Sequence, residues 1–175
     1  AVKHYGVHVT AATISEEQLK LARERIEAAG MTDSIDVVLV DYRDIAGAYD
    51  KIISIEMFEA VGAEYFETYF QKCDSLLRPG GRLVIQTISV PERLFAGLRD
   101  GVNWMQKYIF PGGMLPSLAQ IELAIKRTGL IVSNVEDIAH GAAADRDDLR
   151  DIRSAGECNA EPDQQRSDAT RIANA

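Results

Sequence analysis

Residues 50–88 read DKIISIEMFEAVGAEYFETYFQKCDSLLRPGGRLVIQTI, with a short aliphatic run at each end and an amphipathic stretch between. The runs at 50–55 and 82–88 have the length and composition of buried strands. The stretch at 56–77 predicts a helix that breaks near Gly62 and ends at an Arg-Pro-Gly-Gly turn. A strand, a helix and a second strand in this order predict parallel pairing in an open α/β sheet.

The same alternation continues on both sides of this segment. Further strands are predicted at 6–10, 35–40 and 130–135, and further helices at 15–29 and 117–128. The spacing of Ser15 and Gln18 predicts a capping box at the start of the first of these helices. The pattern predicts a doubly wound α/β domain over residues 1–140, with a loop rich in Gly, Pro and aromatic residues at 101–116.

The composition argues against several classes of protein. The formal net charge of −8 argues against a nucleic-acid binder and against docking on an anionic membrane through net charge. The two cysteines lie far apart with no Cys/His cluster, so neither zinc nor a disulfide framework is expected. We expect Cys73 to be a core thiol in a cytoplasmic protein. No apolar run approaches the about 20 residues needed to span a bilayer.

The last residues, 141–175, differ in character from the rest. They are rich in Ala, Asp and Arg, and their only large aliphatic residues are Leu149, Ile152 and Ile172. Such a segment buries too little apolar surface to offset the entropy of ordering. We therefore expect the tail to be disordered or marginally helical.

Two candidate binding turns follow predicted strands, where ligands bind in open α/β sheets. Thr13, Ser15 and Gln18 could hydrogen-bond a ribose, although Ser15 and Gln18 also suffice as a helix cap. Tyr42 could stack on a purine whose amino group donates to Asp41, and a solvated loop is the alternative.

Two further candidates suit chemistry on an apolar substrate. Glu56 and Glu59 follow a strand, at the start of a helix whose dipole stabilises anions. A carboxylate held in apolar surroundings by Met57 and Phe58 could manage a proton, although acids at helix starts are common. The segment 107–116 reads KYIFPGGMLP and could line a pocket for an apolar substrate, or simply pack as a long loop.

Five strings within residues 1–140 match one family in order and spacing. They are TISEEQ at 13–18, VDYRD at 40–44, YDKIISIEMFEAVG at 49–62, YFQKCDSLLRPGGRLVIQTI at 69–88 and QKYIFPGGMLPS at 106–117. The LLRPGG string is common to many methyltransferases, whereas SIEMFEAVG and YIFPGGMLPS are far more specific. The chain thus resembles the cyclopropane-fatty-acyl-phospholipid synthases.

The resemblance implies a Rossmann-like methyltransferase that uses S-adenosylmethionine on the double bond of a phospholipid acyl chain. Methyl transfer would leave a carbocation, and loss of a proton to a bound bicarbonate would close a cyclopropane ring. The implied cofactor-binding residues are Thr13, Ile14, Gln18, Asp41, Tyr42 and Arg43. The implied catalytic residues are Ile55, Glu59, Gln86 and Ile88, with Glu59 as the carboxylate that anchors bicarbonate. The implied substrate pocket contains Tyr108, Phe110 and Met114. Any membrane contact would be peripheral, at the inner face.

Three departures from the family pattern bear on function. Gln86 stands where well-known synthases carry a histidine, and a carboxamide cannot take a proton at neutral pH. The first strand of the fold and its glycine-rich cofactor loop are absent. After His140 the match ends abruptly, which suggests a frameshift that translation of the gene in its other frames would test.

These departures leave alternatives open. Without the first strand, the strands at 6–10 and 50–55 would each expose an edge, and they would either collapse together or leave the sheet split. We therefore expect an unstable or aggregation-prone chain, which a cooperative melt with a high midpoint would refute. A related methyltransferase of an amine or another small acceptor and an inactive fragment remain alternatives. A nicotinamide dinucleotide domain is the weakest reading, because no G-x-G-x-x-G follows a strand.

Overall fold

The computed structural model describes residues 1–100, 112–139 and 167–174. The helices are α1 (Val2–Tyr5), α2 (Glu16–Ala28), α3 (Phe66–Leu76), α4 (Glu92–Asp100) and α5 (Leu118–Ile125). The strands are β1 (Val9–Thr13), β2 (Ile35–Leu39), β3 (Tyr49–Ile55), β4 (Leu77–Ile88), β5 (Val132–Ala139) and β6 (Ser167–Asn174). The chain divides into two compact units, Ala1–Gly47 and Ala48–Ala175.

The first unit is a parallel pair of strands with one helix. Strands β1 and β2 pair in register from Val9 opposite Ile35 to Thr13 opposite Leu39. Helix α2 begins where predicted, and the Ser15 hydroxyl accepts from the backbone N–H of Gln18 at 3.2 Å. This hydrogen bond satisfies one of the amides that a helix start leaves unpaired. The other half of the predicted capping box does not form, because the Ser15 N–H donates to the Thr13 hydroxyl, and that hydroxyl donates to the Gln18 carboxamide oxygen. The parallel βαβ order predicted from sequence is confirmed in this unit.

The first strand begins later than predicted. Residues 2–5 form the short helix α1, which Gly6 ends in the left-handed conformation at φ 60°. Glycine adopts this conformation without a Cβ penalty, which makes it a common helix terminator. The strand expected at 6–10 therefore starts at Val9 and runs to Thr13.

The second unit contains a mixed sheet in the order β3-β4-β6-β5. Strands β3 and β4 pair in parallel, with Ile55 opposite Gln86 at their carboxyl ends. Between them, the predicted helix break is confirmed at Gly62, whose φ is 83°. Two single turns of 3-10 helix, Phe58–Ala60 and Ala63–Tyr65, precede α3, which begins at Phe66.

Strands β1 and β3 lie in separate sheets. Within the described ranges, β1 pairs with β2 alone and β3 pairs with β4 alone. Of the two outcomes expected for these strands, the structure has the split sheet. Each strand therefore has one edge on which no ladder is formed by the described residues.

The tail contains a strand where the sequence predicts none. Residues 167–174 form β6, which pairs antiparallel with both β4 and β5. Low apolar content reduces the gain from burial, but two neighbouring strands also offer backbone amides and carbonyls as hydrogen-bond partners. A segment with few apolar residues can be held in a sheet by those groups. Residues 140–166 lie outside the described part of the chain.

The core of the second unit is aromatic. Phe58 is fully buried, and its ring centroid lies 4.5 Å from that of Phe66, 5.0 Å from Tyr69 and 5.3 Å from Phe70. Cys73 is buried on the same helix, as predicted. Burial raises the pKa of its thiol to about 12, so the thiol stays neutral and unreactive at physiological pH.

No helix in the described ranges is both long enough and apolar enough to span a bilayer.

Candidate functional site

In the first unit, the groups predicted to bind a cofactor gather where β1 and β2 end. The two strand ends are linked by the Val40 N–H, which donates to the carbonyl of Thr13 at 2.9 Å. The Thr13 hydroxyl donates to the carboxamide oxygen of Gln18 at 2.7 Å and accepts from the Ser15 N–H at 3.1 Å. Because the Thr13 hydroxyl holds the carboxamide oxygen of Gln18, the carboxamide nitrogen is the group that can donate to a ligand. Ile14, by contrast, is 78% exposed.

The turn after β2 carries an ion pair and an aromatic ring. The Asp41 carboxylate accepts three hydrogen bonds from Arg43, from its backbone N–H, its Nε and its Nη2. These bonds hold the pKa of Asp41 at about 2. The Arg43 guanidinium lies 5.8 Å from the centroid of the Tyr42 ring. Oδ2 accepts one of these bonds, and a carboxylate oxygen can accept two, so the role of Asp41 as acceptor from an adenine amino group stays a prediction.

The donor set of these two turns suits S-adenosylmethionine. Hydroxyl and carboxamide groups can hydrogen-bond a ribose, and a tyrosine ring can stack on an adenine. Both turns follow the carboxyl ends of parallel strands, where open α/β sheets bind nucleotides. The chemistry of the first unit therefore fits the nucleoside part of this cofactor.

In the second unit, Glu59 lies at the carboxyl ends of β3 and β4. Its Oε1 accepts from the Thr87 hydroxyl at 2.7 Å and from the Ile88 N–H at 2.6 Å. Its Oε2 is buried and, among the described residues, has no hydrogen-bond partner. Its backbone carbonyl accepts from the Met114 N–H at 2.7 Å. A buried carboxylate oxygen without a partner is costly, which indicates a place for a hydrogen-bond donor.

Gln86 contacts Glu56 rather than Glu59. The Gln86 carboxamide donates to Glu56 Oε1 at 3.2 Å, and the Glu56 N–H donates to the Gln86 carbonyl at 2.9 Å. Glu56 has φ 51° and is the only non-glycine residue with positive φ in the described ranges. Such strained residues cost about 1–3 kcal/mol and concentrate at functional sites.

The segment that carries Met114 is tied down by polar groups. The Val90 N–H donates to the Pro116 carbonyl at 2.9 Å, and the buried Ser117 hydroxyl donates to the Glu92 carboxylate. Glu92 also accepts from the Gln120 side chain at 2.9 Å. Met114 is itself buried, in agreement with an apolar environment at this point.

The remaining site predictions divide between two outcomes. Ile55 pairs with Gln86 in the ladder, but its side chain is 60% exposed and makes no described contact with Glu59. Tyr108 and Phe110 lie outside the described residues. The structure therefore brings Glu59, Ile88 and Met114 together and leaves Ile55 and Gln86 beside them.

Sequence reasoning missed Thr87. Successive side chains of a strand point to opposite faces, so Thr87 shares the face of Leu83 and Ile85, which are buried. Thr87 is 0% exposed and is the hydroxyl that holds Glu59. A polar residue at an inward position of a strand is the signal that could have identified it.

The strain at Glu56 gives a testable prediction. Glu56→Gly will raise the free energy of unfolding by about 1 kcal/mol relative to Glu56→Ala, because glycine adopts positive φ freely. Alanine removes the same side-chain hydrogen bond and keeps the strain, so it is the matched control. Urea unfolding of the two variants measures the difference. Equal midpoints would show that the backbone at this position is not strained.

The fold and the donor set define a class, the Rossmann-like methyltransferases that use S-adenosylmethionine. A mycolic acid cyclopropane synthase solved with S-adenosylhomocysteine superposes with a TM-score of 0.68 and 26% identity. The alignment covers 78% of this chain and 51% of that one.

The chain belongs to the mycolic acid cyclopropane synthetase family, whose profile matches residues 1–145. It is 45% identical over 126 residues to tuberculostearic acid methyltransferase UfaA1 of Mycobacterium tuberculosis, a match that covers 71% of this chain and 30% of the relative. It is 40% identical over 121 residues to the cyclopropane-fatty-acyl-phospholipid synthase of Escherichia coli, which covers 67% of this chain and 29% of that protein. The chain thus spans less than a third of the length of these relatives.

Proposed function

We propose that the protein transfers a methyl group from S-adenosylmethionine to the double bond of an unsaturated acyl chain in a membrane phospholipid. A proton is then lost and a cyclopropane ring closes. The protein works on the cytoplasmic face of the membrane through a peripheral contact. The family membership and the names of the two relatives support a lipid acceptor.

The observation that carries this proposal is the buried oxygen of Glu59. Thr87 and Ile88 fix Oε1, so Oε2 is held in one place without a partner among the described residues. A carboxylate in this state favours a ligand that brings an O–H to it. Bicarbonate has such an O–H, and when bound it would supply the base for the proton that is lost.

The residues of this chain have separate tasks in the proposed reaction. Thr13 and Gln18 hold the ribose, and Tyr42 stacks on the adenine. Glu59 accepts a hydrogen bond from the O–H of the bound bicarbonate and so orients the other oxygens of that ion. Met114 fixes the backbone of Glu59 and contributes an apolar side chain. Tight positioning of the base matters because proton transfer requires hydrogen-bond distance.

A methyl-branched product is the second candidate, and Gln86 favours it. Its carboxamide donates to the Glu56 carboxylate and cannot itself accept a proton at neutral pH. If the proton leaves the transferred methyl group, the ring closes. If it leaves a neighbouring carbon of the acyl chain, a methyl-branched olefin results. The 45% identity to a tuberculostearic acid methyltransferase also favours a methyl-branched product.

Product analysis tests both candidates. The protein is incubated with vesicles of dioleoyl phosphatidylglycerol and S-adenosylmethionine that carries a trideuterated methyl group. Mass spectrometry of the released fatty acids then counts the label. Loss of one deuterium, with ring methine protons and no olefinic proton in the proton spectrum, supports ring closure, and retention of all three deuterium atoms supports a branched product. Methylation of an added amine with no change in the lipid would overturn the proposal.

A further inference from the structure

Asp41 and Arg43 are joined more tightly than an ordinary surface ion pair. Asp41 Oδ1 accepts from the backbone N–H of Arg43 at 2.9 Å and from its Nε at 2.9 Å, and Oδ2 accepts from Nη2 at 2.8 Å. Two parallel bonds between a carboxylate and a guanidinium fix the orientation of the side chain as well as its position. With its pKa held at about 2, Asp41 keeps its charge across the neutral range.

The fixed guanidinium lies against the next aromatic ring. Arg43 Cζ is 5.8 Å from the ring centroid of Tyr42, which is within the range of a cation–π contact. The contacts therefore run in one direction, from Asp41 to Arg43 and from Arg43 to Tyr42. Because all three residues lie in one short turn, we expect loss of the first contact to weaken the second.

This turn lies beside the predicted ribose-binding groups of the first unit. Strand β2 ends at Leu39, opposite Thr13 in the ladder, and the Val40 N–H donates to the Thr13 carbonyl. The turn that carries Tyr42 and the turn that carries Gln18 thus begin side by side. The affinity for an adenine that stacks on Tyr42 depends on how firmly the Tyr42 ring is held in place.

We propose that Arg43 is a positioning residue for the adenine of S-adenosylmethionine, and that it acts by fixing the ring of Tyr42. Asp41 orients Arg43 and does not touch the base. The inference rests on the cofactor site of the proposed function. A ring whose orientation is fixed before binding loses less entropy when the ligand stacks on it, so affinity is higher.

The test compares two ligands that differ on one edge of the base, where the amino group and N1 acceptor of adenine become a carbonyl and an N1–H. Calorimetry measures the binding of S-adenosylhomocysteine and of S-inosylhomocysteine to the wild type, Asp41→Asn, Arg43→Gln and the double variant. We expect each single change to weaken both ligands by the same factor, about tenfold. The double variant should bind no more weakly than Arg43→Gln, because the two residues act as one unit.

Two further variants guard against loss of folding or of charge. Asp44→Asn removes an exposed carboxylate from the same turn and should leave both affinities unchanged. Arg43→Lys keeps the positive charge but lacks the two-pronged geometry, so it should lose as much affinity as Arg43→Gln.

In the ligand-free protein, the Nε–H of Arg43 should exchange slowly with water, and Asp41→Asn should abolish this protection.

The outcomes separate this inference from the function on which it rests. Selective weakening of S-adenosylhomocysteine in Asp41→Asn would assign Asp41 to the amino group and overturn the inference. Additive losses in the double variant, or full affinity in Arg43→Lys, would also overturn it. A folded wild type that binds neither ligand would instead refute the cofactor site itself, and the inference with it.

Discussion

Phe58→Ala will lower the free energy of unfolding by about 3–5 kcal/mol, as expected when a fully buried aromatic ring is deleted. The Phe58 side chain is 0% exposed and packs against the rings of Phe66, Tyr69 and Phe70. These rings belong to a helix that also packs on the sheet, so they cannot move far into the cavity. Denaturant unfolding followed by circular dichroism measures the loss.

The control for this prediction is an exposed residue of the same unit. Leu123 on α5 is 56% exposed, so Leu123→Ala should change stability by no more than about 0.5 kcal/mol. Phe58→Leu retains much of the apolar volume and should fall between the two. A loss below about 1.5 kcal/mol for Phe58→Ala would mean that the aromatic cluster collapses into the cavity and that Phe58 is not its centre.

Glu59→Gln will reduce the rate of lipid methylation by at least about 100-fold, at the low end of what a positioned acid–base group contributes. The substitution keeps an oxygen to accept from Thr87 and Ile88, so the backbone and the fold should be preserved. It replaces the buried Oε2 with an N–H donor, which cannot accept a hydrogen bond from bicarbonate. The measurement is the rate of label incorporation into vesicles, together with the melting temperature.

The matched control is a second glutamate in the neighbouring turn. Glu64 is exposed, and Glu64→Gln makes the same chemical change away from β4, so it should retain full activity. An unchanged melting temperature in Glu59→Gln would separate loss of chemistry from loss of structure. Full activity in Glu59→Gln would show that the Glu59 side chain has only a structural role, through its bonds to Thr87 and Ile88.

The alternation of side chains along β4 explains which parts of the site could be predicted. The strings shared with the family place Glu59, Gln86 and Ile88 in one element, and the structure does bring Ile88 to Glu59. It does so through the backbone N–H, while the inward side chain that bonds the carboxylate is Thr87. Alternation along β4 was available from the sequence, but which face meets Glu59 depends on the turns between β3 and α3.

Local pairing gives Asp41 a partner that the sequence alone did not assign. A carboxylate that follows a strand can serve a ligand or can close onto the amide two residues later, and both are common. The sequence shows Arg43 at that spacing, yet the choice between ligand and partner depends on side-chain geometry. The tail is a different case, because pairing of residues 167–174 depends on sheet edges distant in the chain.

Val37 is the only buried residue among residues 1–47, all of which are described. A segment with so little core opens at a low free-energy cost, well below that of global unfolding. The amides of β1 and β2 should therefore exchange with deuterium much faster than those of β4, whose inward side chains are buried. Any nucleoside that binds there must also suppress this opening, so part of its binding free energy is spent on ordering the protein, and slower exchange would report its presence.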